Sequence, residues 1–431
     1  MSSPSIDALL NRRRAALGHP TPLFYDEPLH IVRGDGVWLY DDQGRRYLDA
    51  YNNVPHVGHC HPHVVQALQS QAAVLNIHTR YLHENVVRYG ERLTATFDGS
   101  LSNALFVCTG TEANELALRI ATHHSGASGM LVSDYSYHGN SATLAAVSTG
   151  IRVNVPFASH ARALRIPDLH RDLVDGVTPE LLTQRSLAEA DAAIASLQEA
   201  GHGVAALLVD TLFSTEGLCR LPPGYLPGLV ARVRAAGGFY IADEVQPGFG
   251  RTGDHWWGYQ AHGVVPDLVT MGKPMGNGHP MGATVTRPEL AHGFLNEAMF
   301  FNTFAGNPVS AAVGMAVLDV IERERLLENA RLTGAYVAEQ LRALAGRHAC
   351  IASVRGRGLF FGLELVDLAT RQPASHAARR LINDMKRRGV LVSTIGPNDN
   401  VLKMRPPMVF GRQHADLLIG TFDEALCALE M

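Results

Sequence analysis

Residues 239–273 read FYIADEVQPGFGRTGDHWWGYQAHGVVPDLVTMGK. An apolar, strand-like run ends in two acids, Asp243 and Glu244, and a glycine-rich turn follows. A second short apolar run, 267–271, ends at Gly272 and Lys273. In an α/β chain, functional groups gather just beyond the carboxyl ends of the strands. An acid buried there needs a partner, because a lone charge in the interior is costly. A lysine in the same cleft can act as a Schiff-base nucleophile. Together they point to a pyridoxal phosphate (PLP) site: the lysine carries the aldehyde and the acid keeps the pyridine nitrogen protonated. Spacing alone does not separate this from a chance Asp–Lys pair.

Outward from that stretch, the chain alternates short apolar runs with helical segments. Residues 104–108 read as a strand that enters Thr109-Gly110-Thr111-Glu112 and then a helix to His123. A strand, a small-residue turn and a helix start leave free backbone N–H groups for an anion. Gly110 allows close approach and Thr111 adds a hydroxyl, so this is a phosphate cradle. It is neither the dinucleotide GxGxxG nor the Walker pattern. After the strand 129–133, Tyr137 is placed to stack on a flat cofactor, and His138 is read as a support of that turn. Helices are expected over 185–199 and 226–236, and strands over 204–209 and 281–285. Repeated strand–helix–strand units put this region in one doubly wound, mostly parallel sheet. The expected domains are a cofactor-binding unit at 60–310 and a smaller C-terminal α/β unit at 311–431, which the N-terminal segment 1–59 joins.

In that N-terminal segment, His30–Tyr40 is expected as one strand, returning through Asp41–Gly44 into a second. The loop 51–62 holds His56, His59 and His61 but no ligand spacing for a metal, so no metal site is expected. It reads instead as cleft lining, with Asn53 among the substrate contacts. Arg80 is either a surface charge or an anion-binding fork.

Bulk properties exclude other classes. The chain has 431 residues, 46% hydrophobic and 18% charged, and a formal charge of −4. That balance gives no electrostatic footprint for nucleic acid. Cysteines at 60, 108, 219, 350 and 427 form no close pair, so no disulfide framework is indicated. No signal peptide or membrane span is read, and a cytoplasmic protein is expected.

Six pieces in order resemble the class III aminotransferases, PLP enzymes of fold type I: CTGTEANELALR at 108–119, YHG at 137–139, IADEVQPGFGRTG at 241–253, TMGKPMGNGHP at 270–280, FNTFAGNP at 301–308 and LKMRPP at 402–407. The resemblance implies that Lys273 binds the cofactor aldehyde and Asp243 pairs with the pyridine nitrogen. It implies that Val245 and Tyr137 sandwich the ring, that Gly110 and Thr111 hold the phosphate, and that Gln246 lies near the ring hydroxyl. His138 is counted with these cofactor contacts. Thr303 would reach the phosphate of a neighbouring subunit, giving a homodimer with composite sites; pairing into tetramers is left open. Arg405 matches the arginine that grips a substrate carboxylate.

Within the family, the runs at 51–62, 75–93 and 271–280 resemble the phospho-lyase branch, which acts on ethanolamine phosphate or 5-phosphohydroxylysine. Two departures stand out. That branch has Lys where this chain has Arg405. The usual aminotransferase has Glu-Pro-Val-Gln where this chain has Asp210-Thr211-Leu212-Phe213. The expected reaction is therefore elimination of phosphate and ammonia from O-phosphoethanolamine or a similar amino-alkyl phosphate, with Arg80 and Arg405 on the leaving group. The alternative is an aminotransferase that moves an amino group to pyruvate, glyoxylate or 2-oxoglutarate. A binding protein that had lost the chemistry would lack Lys273 or Asp243, and both are present.

Overall fold

The computed structural model describes residues 5–18 and 23–430. Its centre is a seven-stranded sheet. In spatial order the strands are Asn103–Val107, Gly282–Thr286, Leu268–Met271, Phe239–Asp243, Ala206–Asp210, Met130–Ser133 and Ala161–Leu164. Pairing is parallel from Leu268–Met271 through to Ala161–Leu164. Gly282–Thr286 alone runs antiparallel to both its neighbours. The fold is the expected α/β architecture: a mostly parallel sheet with helices, and a smaller α/β part.

Phe239–Asp243 lies mid-sheet, buried from Tyr240 to Asp243, which explains its continuous apolar run. Helix Gly110–Ser125 covers the sheet with Ala113, Leu116, Ala117, Ile120 and Ala121, all buried. Thr109 caps it by accepting from Glu112 N at 3.1 Å, and the Glu112 carboxylate reaches back to Cys108 N at 2.6 Å. Gly126, left-handed at φ 65°, ends it and donates to Thr122 O.

Ile351–Arg357, Phe360–Leu365, Val401–Met404 and Ser393–Ile395 form a second, antiparallel sheet. A third sheet joins the two ends of the chain, because Val390–Leu391 pairs in parallel with Leu48 and Asp49.

Several elements differ from expectation. The single strand expected over 30–40 is a hairpin, Ile31–Asp35 against Trp38–Asp41. Gly36, at φ 56°, turns the chain there, and its N–H donates to His59 O at 3.1 Å. The helix expected from residue 185 begins at Pro179, capped by Thr178. Strand Ala161–Leu164 was not expected: it reads Ala-Arg-Ala-Leu, with no β-branched residue, and takes its form from the sheet edge it joins. Helix Pro288–Glu297 was also unmarked, although Pro288 sits at its first turn. No helix among the described residues is long and apolar enough to cross a membrane.

Candidate active site

The carboxyl ends of the central strands meet the start of helix Gly110–Ser125 around a cavity of about 110 Å³. Its walls include Gly110, Thr111, Asn114, Tyr137, Asp243 and Lys273. Strand alternation separates the two acids of the opening stretch. Asp243 faces this cavity. Glu244 turns away, accepting from Gly258 N and Tyr259 N at 2.7 Å and from Thr211 Oγ1 at 2.8 Å. Burial raises the Glu244 pKa to about 7 against those bonds, and its work is to hold the short 3-10 helix Gly258–His262.

Asp243 is fixed by three donors. Oδ2 accepts from Asn114 Nδ2 at 2.9 Å and meets His138 Nδ1 at 2.8 Å; Oδ1 accepts from Val245 N at 3.1 Å. Burial alone would raise its pKa, but the bonds from His138, Asn114 and Val245 outweigh that, and the net shift is downward. The carboxylate is therefore held charged. His138 supports this acid rather than the turn, which corrects the first reading. Asn114 was missed. Its signal was a lone amide on the buried face of an Ala/Leu-rich helix, and Thr270 Oγ1 anchors its oxygen at 2.6 Å.

Lys273 follows Gly272 at the end of strand Leu268–Met271 and sits at φ 26°. A non-glycine residue there is strained, and such strain collects at functional positions. Part of its side chain stays open to the cavity. Desolvation first, then the Arg405 charge, lower its pKa from 10.5 to about 8, against the pull of Asp243 and Asp210. Above about pH 8 the amine is neutral and nucleophilic. The chain has only three lysines, at 273, 386 and 403, so a direct check is practical. In cofactor-free protein, trinitrophenylation of Lys273 should rise with pH and reach half its maximum near 8. A half-point near 10 would contradict the perturbed amine.

The cavity fits PLP on features of its own. Gly110 and Thr111 open a helix, where N–H groups have no intrahelical acceptor. A Cβ on Gly110 would lie 2.9 Å from Val245 Cγ2, and one on Gly139 would lie 2.8 Å from Thr111 Oγ1, so glycines keep the cradle and wall clear. His138 Nε2 is buried without a partner. Half-buried Tyr137 and buried Val245 supply flat walls.

Gln246 Nε2 donates to Ser214 Oγ at 2.5 Å and Asp210 Oδ2 at 3.4 Å, and its oxygen accepts from Arg405 and Lys403. Arg405 is thus beside the cavity, buried, with Nε donating to Tyr51 O at 3.0 Å. Asn53 is buried nearby in sequence, with Nδ2 lacking a partner. Asp210, which sequence reading took only as a departure from a motif, lines the cavity. Arg80 and Thr303 do not line it within the same chain. Both are exposed, and Arg80 stacks 4.1 Å over Phe301, two residues before Thr303.

A strained lysine, a locked aspartate and a helix-start cradle around one cavity suit the binding of PLP. The pattern of the family Aminotransferase class-III matches residues 24–426, and the chain belongs to that family. Its relatives carry two kinds of name. It is 42% identical to "Alanine--glyoxylate aminotransferase 2-like" of Drosophila melanogaster, over 97% of this chain and 86% of that one. It is 35% identical to "Ethanolamine-phosphate phospho-lyase homolog 1" of Caenorhabditis elegans, over 98% and 94%. Among solved structures, a phospholyase from Arthrobacter in complex with phosphoethanolamine superposes with a TM-score of 0.96 at 55% identity, covering 97% of this chain and 99% of that one.

Proposed function

We propose that the chain is a PLP-dependent phospho-lyase acting on O-phosphoethanolamine or a similar amino-alkyl phosphate. The carrying observation is the likeness to the phosphoethanolamine-bound phospholyase across almost the whole of both chains. Buried Arg405 beside the cavity supports it, since a guanidinium fork suits phosphate.

In this reading Lys273 holds the cofactor, and Gly110 and Thr111 hold its phosphate. Asp243, oriented by His138 and Asn114, holds a proton at the pyridine nitrogen. Tyr137, Val245 and Gln246, which line the cavity, would hold the ring. Bound PLP supplies an electron sink for the carbanion beside the substrate amine. Lys273, as a neutral amine, would take the proton from the amine-bearing carbon. Arg405 stabilises charge on the departing phosphate, and Asn53 completes the substrate wall.

Residues 60–310 serve as the cofactor-binding unit, and 1–59 with 311–431 as the smaller one. The pairing of Val390–Leu391 with Leu48 and Asp49 supports joining the two ends. A homodimer with shared sites is supported by exposed Tyr81, Leu82, Met299, Phe301 and Phe304, a concentration of apolar surface unusual for a monomer. Arg80 and Thr303 lie on the same segments, and in this reading they serve the partner's site.

The aminotransferase reading stands second, carried by the Drosophila relative's name. One experiment separates the two. Ethanolamine phosphate supplied without any 2-oxo acid should give phosphate, ammonia and acetaldehyde in equal amounts over many turnovers. No phosphate release, with rapid amine transfer to pyruvate or 2-oxoglutarate, would overturn the lyase reading.

A further inference from the structure

The bonds that hold Asp243 run back through one amide to a hydroxyl. Asn114 Nδ2 donates to Asp243 Oδ2 at 2.9 Å and to His138 O at 2.7 Å. Its Oδ1 accepts from Thr270 Oγ1 at 2.6 Å. All three side chains are buried, Asp243 at 5% exposure, Asn114 at 1% and Thr270 at 0%. Thr270 lies beside Asp243 in the parallel pairing of Phe239–Asp243 with Leu268–Met271, and three residues before Lys273. The strand that ends at the lysine therefore also carries the hydroxyl behind the acid.

The two ends of an amide are similar in size, so packing alone does not choose between them; hydrogen bonds do. In the orientation seen, both Asn114 N–H groups meet acceptors and its oxygen meets a donor. Without the Thr270 hydroxyl, that oxygen is a buried acceptor with nothing to accept from, which is costly. Turning the amide over aims the oxygen at Asp243, where it finds a donor only if the carboxyl is protonated. Either response weakens the hold on the charged acid. That hold matters because burial pushes the Asp243 pKa up, and the bonds from His138, Asn114 and Val245 together bring it down. A neighbouring bond offers a comparison. Thr284, across from Thr270 on strand Gly282–Thr286, donates Oγ1 to Ala113 O at 2.8 Å. It ties the same helix to the sheet one residue before Asn114, but through the backbone.

We propose that Thr270 is a positioning residue for the cofactor's pyridine nitrogen: by fixing which end of Asn114 faces Asp243, it keeps the shared proton on the nitrogen and off the acid. This rests on the reading of Asp243 as the partner of that nitrogen. It holds for elimination and for amine transfer alike, since both draw on the protonated ring as electron sink.

The test compares cofactor-loaded Thr270→Val, which keeps the shape and loses the hydroxyl, with Thr284→Val. Thr270→Val should lower kcat about tenfold, the effect of one lost bond in support of a charged group, with KM for ethanolamine phosphate within about twofold of the parent. A second readout does not depend on turnover: the chemical shift of the cofactor's isotope-labelled pyridine nitrogen should move toward its unprotonated value. Thr270→Ser restores a hydroxyl and should bring both readings back toward the parent. Thr284→Val loses an equally buried bond between sheet and helix and should leave the nitrogen shift where the parent has it. A nitrogen shift unchanged in Thr270→Val, or moved as far in Thr284→Val, overturns the proposal. Should Thr270→Val not fold, Thr270→Ala is held to the same nitrogen criterion. If Asp243→Asn itself leaves the nitrogen shift at the parent's value, the reading of Asp243 is what fails, so the two failures are distinct.

Discussion

Lys273→Ala loses at least about 10³-fold in kcat, roughly 4 kcal/mol of transition-state stabilisation. The variant removes two jobs at once: the covalent hold on the cofactor, and the amine that moves the substrate proton. A base with a pKa near the working pH is effective because enough of it is neutral to accept, yet it still binds the proton well. The perturbed value of about 8 puts Lys273 in that range. A second readout is independent of rate. Borohydride should fix cofactor to the parent at Lys273 and leave the variant unlabelled. Turnover within tenfold of the parent, or labelling at Lys386 or Lys403 instead, would remove Lys273 from the role.

Asp243→Asn is expected to lose about 10²-fold or more in kcat, roughly 2.7 kcal/mol, while still retaining cofactor. The amide keeps the shape but not the charge that holds a proton on the facing nitrogen. It also disturbs the local bonds. Asn114 and His138 both aim at Oδ2; an amide oxygen there can still accept from them, but without the full charge. The native pKa lies below the ordinary aspartate value. The parent therefore keeps this charge at neutral pH, and its rate should not fall through titration of Asp243 until well into the acid range. Parent-like turnover in Asp243→Asn would show that the charge is not needed.

Much of this site could be read along the chain because its parts are local. A strand end, a small-residue turn and a helix start are consecutive residues, so Gly110 with Thr111, Tyr137 with His138, and Asp243 with Val245 each appear as a short run. The alternation of apolar and helical stretches likewise marked the sheet. Weakly marked elements escaped: Ala161–Leu164 has no strand-forming residue type and exists because the edge of the sheet accepts it. The hairpin at Gly36 was marked in the sequence by Asp35-Gly36, a common turn pair, but was passed over.

Contacts between distant segments are of another kind. Asn114 and His138 reach Asp243 across 129 and 105 residues. Lys403 reaches Gln246 across 157. No spacing rule links such pairs, since strand order and domain packing decide which ends of which strands meet. For the same reason, sequence reading chose Arg405 and passed over Lys403: the two share one motif, and only the folded chain brings both to a single amide oxygen. Sequence reading also left Arg80 as either a surface charge or an anion-binding fork, and the fold sets it on an exposed face beside Phe301. Residue chemistry and local motifs were enough for the class of enzyme and its cofactor residues. Which acid is locked charged and which lysine is pulled toward neutrality depend on burial and on neighbours far along the chain. The electrostatic energies behind them exist only once water has been excluded by folding.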